Sequence, residues 1–366
     1  MSRLKHMTRM AFKLHSKLGL ISGTFLLLLG LSGSALVFMK EIDAQLNESL
    51  LQVEPTAAAL PLDEHYRHIS SRHPNLAGIA WMNPDAPKGQ AYEFRLYQND
   101  GKISTYDLGL ISINPYTGAI LREGRLRDLN PSLMHWILQF HWSFQLGLPG
   151  LLLASIFGLT MLLSTITGLI IYRKFVWRVL LFRVPFKWNN RRSAASSLHR
   201  IIGVWSMVFN VIIFFTGFWM NMFSMDPGYW KRQMAVAPAN TLAVQSMDSM
   251  MAEARKQLPE ILIRNVYLPT QPGKVFRISG MLPGQPALFH NGNSVSIDPQ
   301  SGKVNHVQRF SELCFWAQLE TTFLPLHAGS FGGTAVKILY VLLGLLPGLL
   351  SVTGAMLYLR RQRKRL

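Results

Sequence analysis

His15, His141, His199 and His327 are the residues in this sequence best suited to chemistry. His15 and His199 each open a long apolar stretch, and His141 and His327 each stand just before another. An ionisable side chain in or beside a membrane span is a functional candidate by default. Two imidazoles from facing helices can fill both axial positions of a haem iron, and a helix-bundle core is a usual place for that cofactor. Zinc or copper without porphyrin would want three or four ligands close together. The expected arrangement is instead two pairs separated by most of a bilayer, His15 with His199 and His141 with His327. Interfacial histidine tolerated at a helix end suits any one of the four alone, but suits four in symmetric register poorly.

That register comes from a duplication. Residues 11–175 fall on 195–361 when shifted by 184 to 186 positions. Leu14-His15 with Gly19 lands on Leu198-His199 with Gly203, Ser32-Gly33 on Thr216-Gly217, and Thr167-Gly168 on Thr353-Gly354. His141 lands on His327. A repeated unit is usually a structural half. Parallel repeats are related by an axis along the membrane normal, which brings equivalent histidines face to face across the bundle.

Other candidates rank lower. His135 lies outside the repeat register, because the matching position holds Thr321. It is the alternative to His141 as a ligand, or it points into the outer pocket. Lys337, ten residues beyond His327, either pairs with a haem propionate or snorkels outward. Gly19, Gly23, Gly203, Gly147, Gly150, Gly329 and Gly332 would let a flat macrocycle approach the backbone, with ordinary helix packing as their plain reading. His6, His65, His68, His73, His290 and His306 lack symmetric partners and read as solvated surface histidines. The single cysteine, Cys314, reads as a small packed residue. It leaves no disulfide framework and no C-x-x-C-H site for covalent haem.

The elements that must position these residues are apolar helices. Four stretches are long enough to cross a bilayer. The first follows a basic leader like a secretory signal, but the repeat pairs it with an internal stretch. Five basic residues in 1–17, eight in 173–200 and five in 360–366 equal the whole net charge of +18, and these segments contain no acid. By the positive-inside rule they are cytoplasmic, and the membrane accounts for the basic balance without nucleic acid. The chain then divides into a cytoplasmic N-terminus (1–17), a span (18–39), a periplasmic module (40–146) and a span (147–172). A basic cytoplasmic loop (173–200) follows, then a span (201–223), a second periplasmic module (224–334), a span (335–359) and a cytoplasmic tail (360–366).

Each module reads as small α+β. In the first, 62–72 is helical, 91–97 and 102–107 are strands joined by Asn99-Asp100-Gly101, and 111–113 enters the turn Asn114-Pro115-Tyr116-Thr117-Gly118. In the second, 243–257 is helical, 274–279 and 294–297 are strands, and Asp298-Pro299-Gln300-Ser301-Gly302 repeats the turn.

This strand–turn–strand signature resembles PepSY domains. With the ordered set of Leu14-His15, His141 with Gly147 and Gly150, Leu198-His199, Leu326-His327-Ala328-Gly329 and Val352-Thr353-Gly354, the chain resembles the PepSY-associated transmembrane helix family over nearly its full length. The resemblance extends to FoxB-type inner-membrane ferric-siderophore reductases. It implies a four-helix membrane bundle built from two parallel repeats, each carrying a PepSY-like module, in a bacterial inner membrane. It also implies two non-covalent b-type haems and a periplasmic ferric siderophore as electron acceptor. The electron donor must come from outside the chain, from the cytoplasm or from quinol, since no nucleotide or flavin fingerprint is present. Trp136, Trp142, Trp230 and Trp316 are candidate walls of the substrate site. The rival expectations are a non-enzymatic PepSY regulatory or binding protein, and a metal or haem transporter, which would want a more polar path through the bundle.

Overall fold

Among the described residues, four helices are long and apolar enough to cross a membrane: Leu4–Leu36, Leu148–Tyr172, Met207–Met225 and Gly333–Gln362. The computed structural model describes residues 3–56, 58–97, 109–235, 237–289 and 292–362. The chain forms two units. A membrane unit combines Met1–Phe38, Phe140–Ser224 and Leu326–Leu366, and a sheet unit combines Met39–Gln139 and Met225–Pro325.

In the membrane unit, small residues set how closely the helices approach, as expected where lipid removes the usual hydrophobic drive. A Cβ on Gly30 would stand 2.8 Å from the Gly344 carbonyl, and one on Gly348 would stand 2.7 Å from Leu27. Ser351 donates to the Gly23 carbonyl and Ser34 to the Val341 carbonyl, so the first and fourth spans are laced by hydroxyls as well. Ile21, Val208 and Leu342 stand exposed, as lipid-facing side chains do. The third span is preceded by a separate helix, Arg191–Trp205, capped by the Asn190 side chain, which accepts from the Arg192 and Ser193 amides. Ser206 divides it from Met207–Asn221.

Among the described residues, the sheet unit is built on eight antiparallel strands: β1 (Gly78–Trp81), β2 (Tyr92–Tyr97), β3 (Gly109–Ile113), β4 (Ile120–Gly124), β5 (Leu262–Pro269), β6 (Phe276–Met281), β7 (Asn293–Ile297) and β8 (Val304–Gln308). Their order is β4-β3-β2-β1-β5-β6-β7-β8. The two modules anticipated separately therefore share one sheet. They join where β1 pairs with β5, from Gly78 opposite Pro269 to Trp81 opposite Val266. The helices Leu62–Arg72 and Met247–Gln257 share one core with the sheet, including Ile69, Ile79, Phe94, Val266, Phe276 and Met250. Each helix start is capped by the other. Asp248 accepts from the Leu62 and Asp63 amides, while Asp63 accepts from the Met247 amide.

The two Pro-containing turns form as the sequence suggests. Asn114 accepts from the Tyr116 and Thr117 amides, and Asp298 from those of Gln300 and Ser301. Gly118 and Gly302 then take φ of +73° and +70°, a region open to glycine. The Asn99-Asp100-Gly101 hairpin, the 102–107 strand and His290 lie outside the described residues.

Candidate functional site

His15 sits on the first span and His199 on the helix leading into the third. Their ring centroids are 6.1 Å apart, with the ring planes at 78°. His141 ends the helix Leu133–Ser143 and His327 ends Phe323–Ala328. These rings are also 6.1 Å apart, at 57°. Local backbone explains where the second pair sits. After His141, Phe144, Gln145 and Gly147 all take positive φ, which turns the chain into the second span. After His327, Gly329 at +66° ends the short helix, and the Tyr340 hydroxyl donates to the Leu326 carbonyl.

Every one of the four rings is held at Nδ1. His141 Nδ1 is 2.9 Å from Ser32 Oγ, His327 Nδ1 is 3.0 Å from Thr216 Oγ1, and His199 Nδ1 is 2.9 Å from Thr353 Oγ1. His15 Nδ1 is 2.9 Å from the Ser164 carbonyl, with Ser164 Oγ at 3.2 Å and Thr167 Oγ1 at 3.4 Å. A hydroxyl has one hydrogen, and Ser32, Thr216 and Thr353 each give theirs to a helix carbonyl, of Leu28, Ile212 and Leu349 respectively. A hydroxyl so committed accepts from the imidazole, and the Ser164 carbonyl is an acceptor by nature. That pattern suits histidines protonated at Nδ1, with the lone pair on Nε2.

A glycine follows three of these hydroxyl residues directly, and a fourth follows Thr167. A Cβ on Gly33 would stand 2.9 Å from His141 Cε1, and one on Gly217 would stand 3.0 Å from His327 Cε1. On Gly168 and Gly354 it would stand 3.3 Å from His15 and His199. These Ser/Thr-Gly steps were visible in the sequence as repeat landmarks, yet nothing there tied them to the histidines. The glycines expected to matter have other surroundings. Gly23 backs onto Ser351, Gly150 onto the Ser143 carbonyl, Gly329 onto Tyr340 and Gly332 onto Val336. A Cβ on Gly203 would reach only Leu350, at 3.8 Å, and those on Gly19 and Gly147 would meet nothing within 4 Å.

His135 belongs to the sheet unit, where it is 2% exposed in a charged cluster. Its Nδ1 donates to Ser132 Oγ at 2.7 Å, and Ser132 donates to Asp43. Its Nε2 stands 3.6 Å from Glu93 Oε1. Arg122 bridges Asp43 at 2.9 Å and Glu93 at 3.0 Å, while Arg95 reaches Glu93 at 3.1 Å. Burial, and then Arg95, hold the His135 imidazole below its ordinary value. Burial alone would raise the Glu93 carboxyl, but Arg95, His135 and Arg122 overcome it and keep it well below the usual range. Lys337 has its ammonium 5.4 Å from the centroid of the Phe38 ring.

Several plainer expectations need correction. His65 is buried, 1% exposed, with its ring edge-on to Tyr92, rather than solvated. His73 is half-buried against Glu123 at 2.9 Å. His6, His68 and His306 are exposed as anticipated. Cys314 is exposed, not packed, because it precedes a short helix whose Phe315 and Trp316 are themselves exposed. Of the four tryptophans, Trp142 lies in the membrane unit and Trp136, Trp230 and Trp316 in the sheet unit. Among the described residues, no three His, Cys, Asp or Glu side chains cluster as a metal site without porphyrin would require.

The family model described as the PepSY-associated TM region matches residues 12–361. None of the curated proteins matches the chain.

Proposed function

The chain belongs to the PepSY-associated TM family, and on that footing we propose that it is a di-haem b membrane oxidoreductase. In this reading it passes electrons from a cytoplasmic or quinol donor to a ferric siderophore in the periplasm and so releases Fe(II). The observation that carries the proposal is the two pairs of neighbouring imidazoles, each ring held at Nδ1. Imidazoles bound to opposite faces of one metal ion through bonds of about 2 Å place their ring centroids about 6 Å apart. Both pairs stand at 6.1 Å. The donor set is also right in kind, since a ligand histidine ordinarily gives its other N–H to a fixed acceptor.

His15 and His199 would hold the inner haem, and His141 and His327 the outer one. A haem held by either pair would supply one-electron transfer. The residues around it supply position and exclude competing ligands. The Ser and Thr hydroxyls keep Nε2 deprotonated, and the adjoining glycines let each ring lie close to the helix that holds it. His135 is assigned no ligand role, because its ring is committed to Ser132 and faces Glu93. Fe(II) is held less firmly than Fe(III) by hard oxygen donors, which makes reduction a route to release.

The orientation rests on the basic segments at 1–17, 173–200 and 360–366, which favour the cytoplasmic side of a bacterial inner membrane. The internal repeat is supported by the strand order, β1 to β4 on one side of the seam and β5 to β8 on the other, and by the matched histidine surroundings. The test is reduction of a ferric siderophore outside proteoliposomes that hold a reduced quinol, followed with a coloured Fe(II) chelator. Colour development that depends on the protein and disappears in His327→Ala is the expected result. An equal rate in protein-free liposomes contradicts the reading.

A further inference from the structure

We infer that the hydroxyls of Ser32, Thr216 and Thr353 are positioning groups that set the reduction potential of the iron each neighbouring histidine would hold. The inference rests on the proposed haem ligation and concerns what tunes each site. A ligand imidazole whose distal N–H is firmly accepted becomes a more basic ligand. Greater basicity favours oxidised iron and lowers its potential, which is one of the protein's recognised controls over a haem.

A structural role alone would leave the pattern unexplained. Ser and Thr in helices often bond back to the carbonyl one turn earlier, and need nothing further. Here each such hydroxyl keeps that back-bond and also stands 2.9 to 3.0 Å from an imidazole nitrogen. Because each hydroxyl already donates, it is polarised toward accepting. At His15 the Ser164 carbonyl lies nearest to Nδ1, at 2.9 Å, with Ser164 Oγ at 3.2 Å and Thr167 Oγ1 at 3.4 Å.

The experiment is a redox titration of the visible spectrum of the full chain in detergent, where two reduction steps are expected. Thr216→Val keeps the side-chain shape and removes the acceptor, and Ser32→Ala removes the other outer acceptor. Both should raise the same one of the two steps by about 59 mV, a tenfold change for a one-electron couple. Both should leave the other step in place. Thr353→Val should raise that other step only. Ser32→Thr and Thr216→Ser keep the hydroxyl and should titrate as the unaltered chain. Loss of one haem in Thr216→Val with full retention in Thr216→Ser also supports the positioning role. Two haems with both steps unmoved in Thr216→Val and Ser32→Ala overturn the inference. Movement of both steps in either variant overturns the assignment of each hydroxyl to one site. A colourless unaltered protein would instead defeat the haem reading on which the inference stands.

Discussion

Adding one methyl group beside an imidazole should remove one haem and spare the other. In Gly33→Ala the new Cβ would stand 2.9 Å from His141 Cε1, and in Gly217→Ala 3.0 Å from His327 Cε1. Carbon atoms pack best at about 3.5–4.0 Å, so the His141 ring must retreat by roughly 0.6 Å and the His327 ring by roughly 0.5 Å. A rigid ring carries its Nε2 with it, and metal–ligand distances tolerate only about 0.2 Å. At the other pair the corresponding contact is 3.3 Å for both Gly168→Ala and Gly354→Ala. The same packing distance then asks for a retreat of only about 0.2 Å, at the edge of tolerance. Folding should not suffer, because Ala in a helix is favoured over Gly by about 1 kcal/mol, which offsets part of the crowding. The assay is haem content per polypeptide after purification in detergent. Gly33→Ala and Gly217→Ala should fall from two haems to one, whereas Gly168→Ala and Gly354→Ala keep two. Two haems with an unchanged reduced spectrum in Gly33→Ala would refute the claim that His141 is a ligand pressed against that glycine.

His327→Ala should lose the outer haem and the reductase activity while keeping the inner one, and retention of both in the haem assay would break the ligand assignment. Glu93→Gln removes the carboxylate between two guanidinium groups and should destabilise the sheet unit by about 3–5 kcal/mol, the cost of breaking a buried pair. Limited proteolysis should show earlier cutting in the sheet unit, with the α band unaltered. Acid should loosen that unit in two stages. The folded pKa of His135 lies below 6.5, so its contribution is intact above pH 6.5 and declines as pH falls through that value toward the folded one. The Glu93 contribution is intact above pH 4.5 and is lost as pH falls further toward its depressed folded pKa. A proteolysis profile that is flat from pH 7 to pH 4 would contradict both signs.

What could be read from the sequence was whatever repeats or has a period. The apolar runs stood out by length, and the four histidines by their shared register. The two Asx-Pro turns stood out because a side-chain acceptor, a proline and a glycine fall at fixed offsets. The seam of the sheet did not stand out. Gly78–Trp81 is four residues long and buried throughout, so it lacks the alternation that marks a half-exposed strand. Leu262–Pro269 alternates, but a register shift between Ile263 and Asn265 breaks its period. With both strands overlooked, two separate modules were the natural expectation. The hydroxyl acceptors were hidden for another reason. Ser32 and His141 are 109 residues apart and Thr353 and His199 are 154 apart, so only the packed helices bring them together. His65 looked like a surface residue because its helix is mostly polar, and only the Tyr92 and Phe94 rings reveal the face it lies on.

The most direct measurement is the visible spectrum of the detergent-purified full chain, oxidised and then reduced with dithionite. Facing imidazoles on both sides of each iron predict two haems per chain, a sharp reduced α band and no spectral change on adding carbon monoxide. A colourless preparation, or reduced haem that binds carbon monoxide at both sites, would contradict the account.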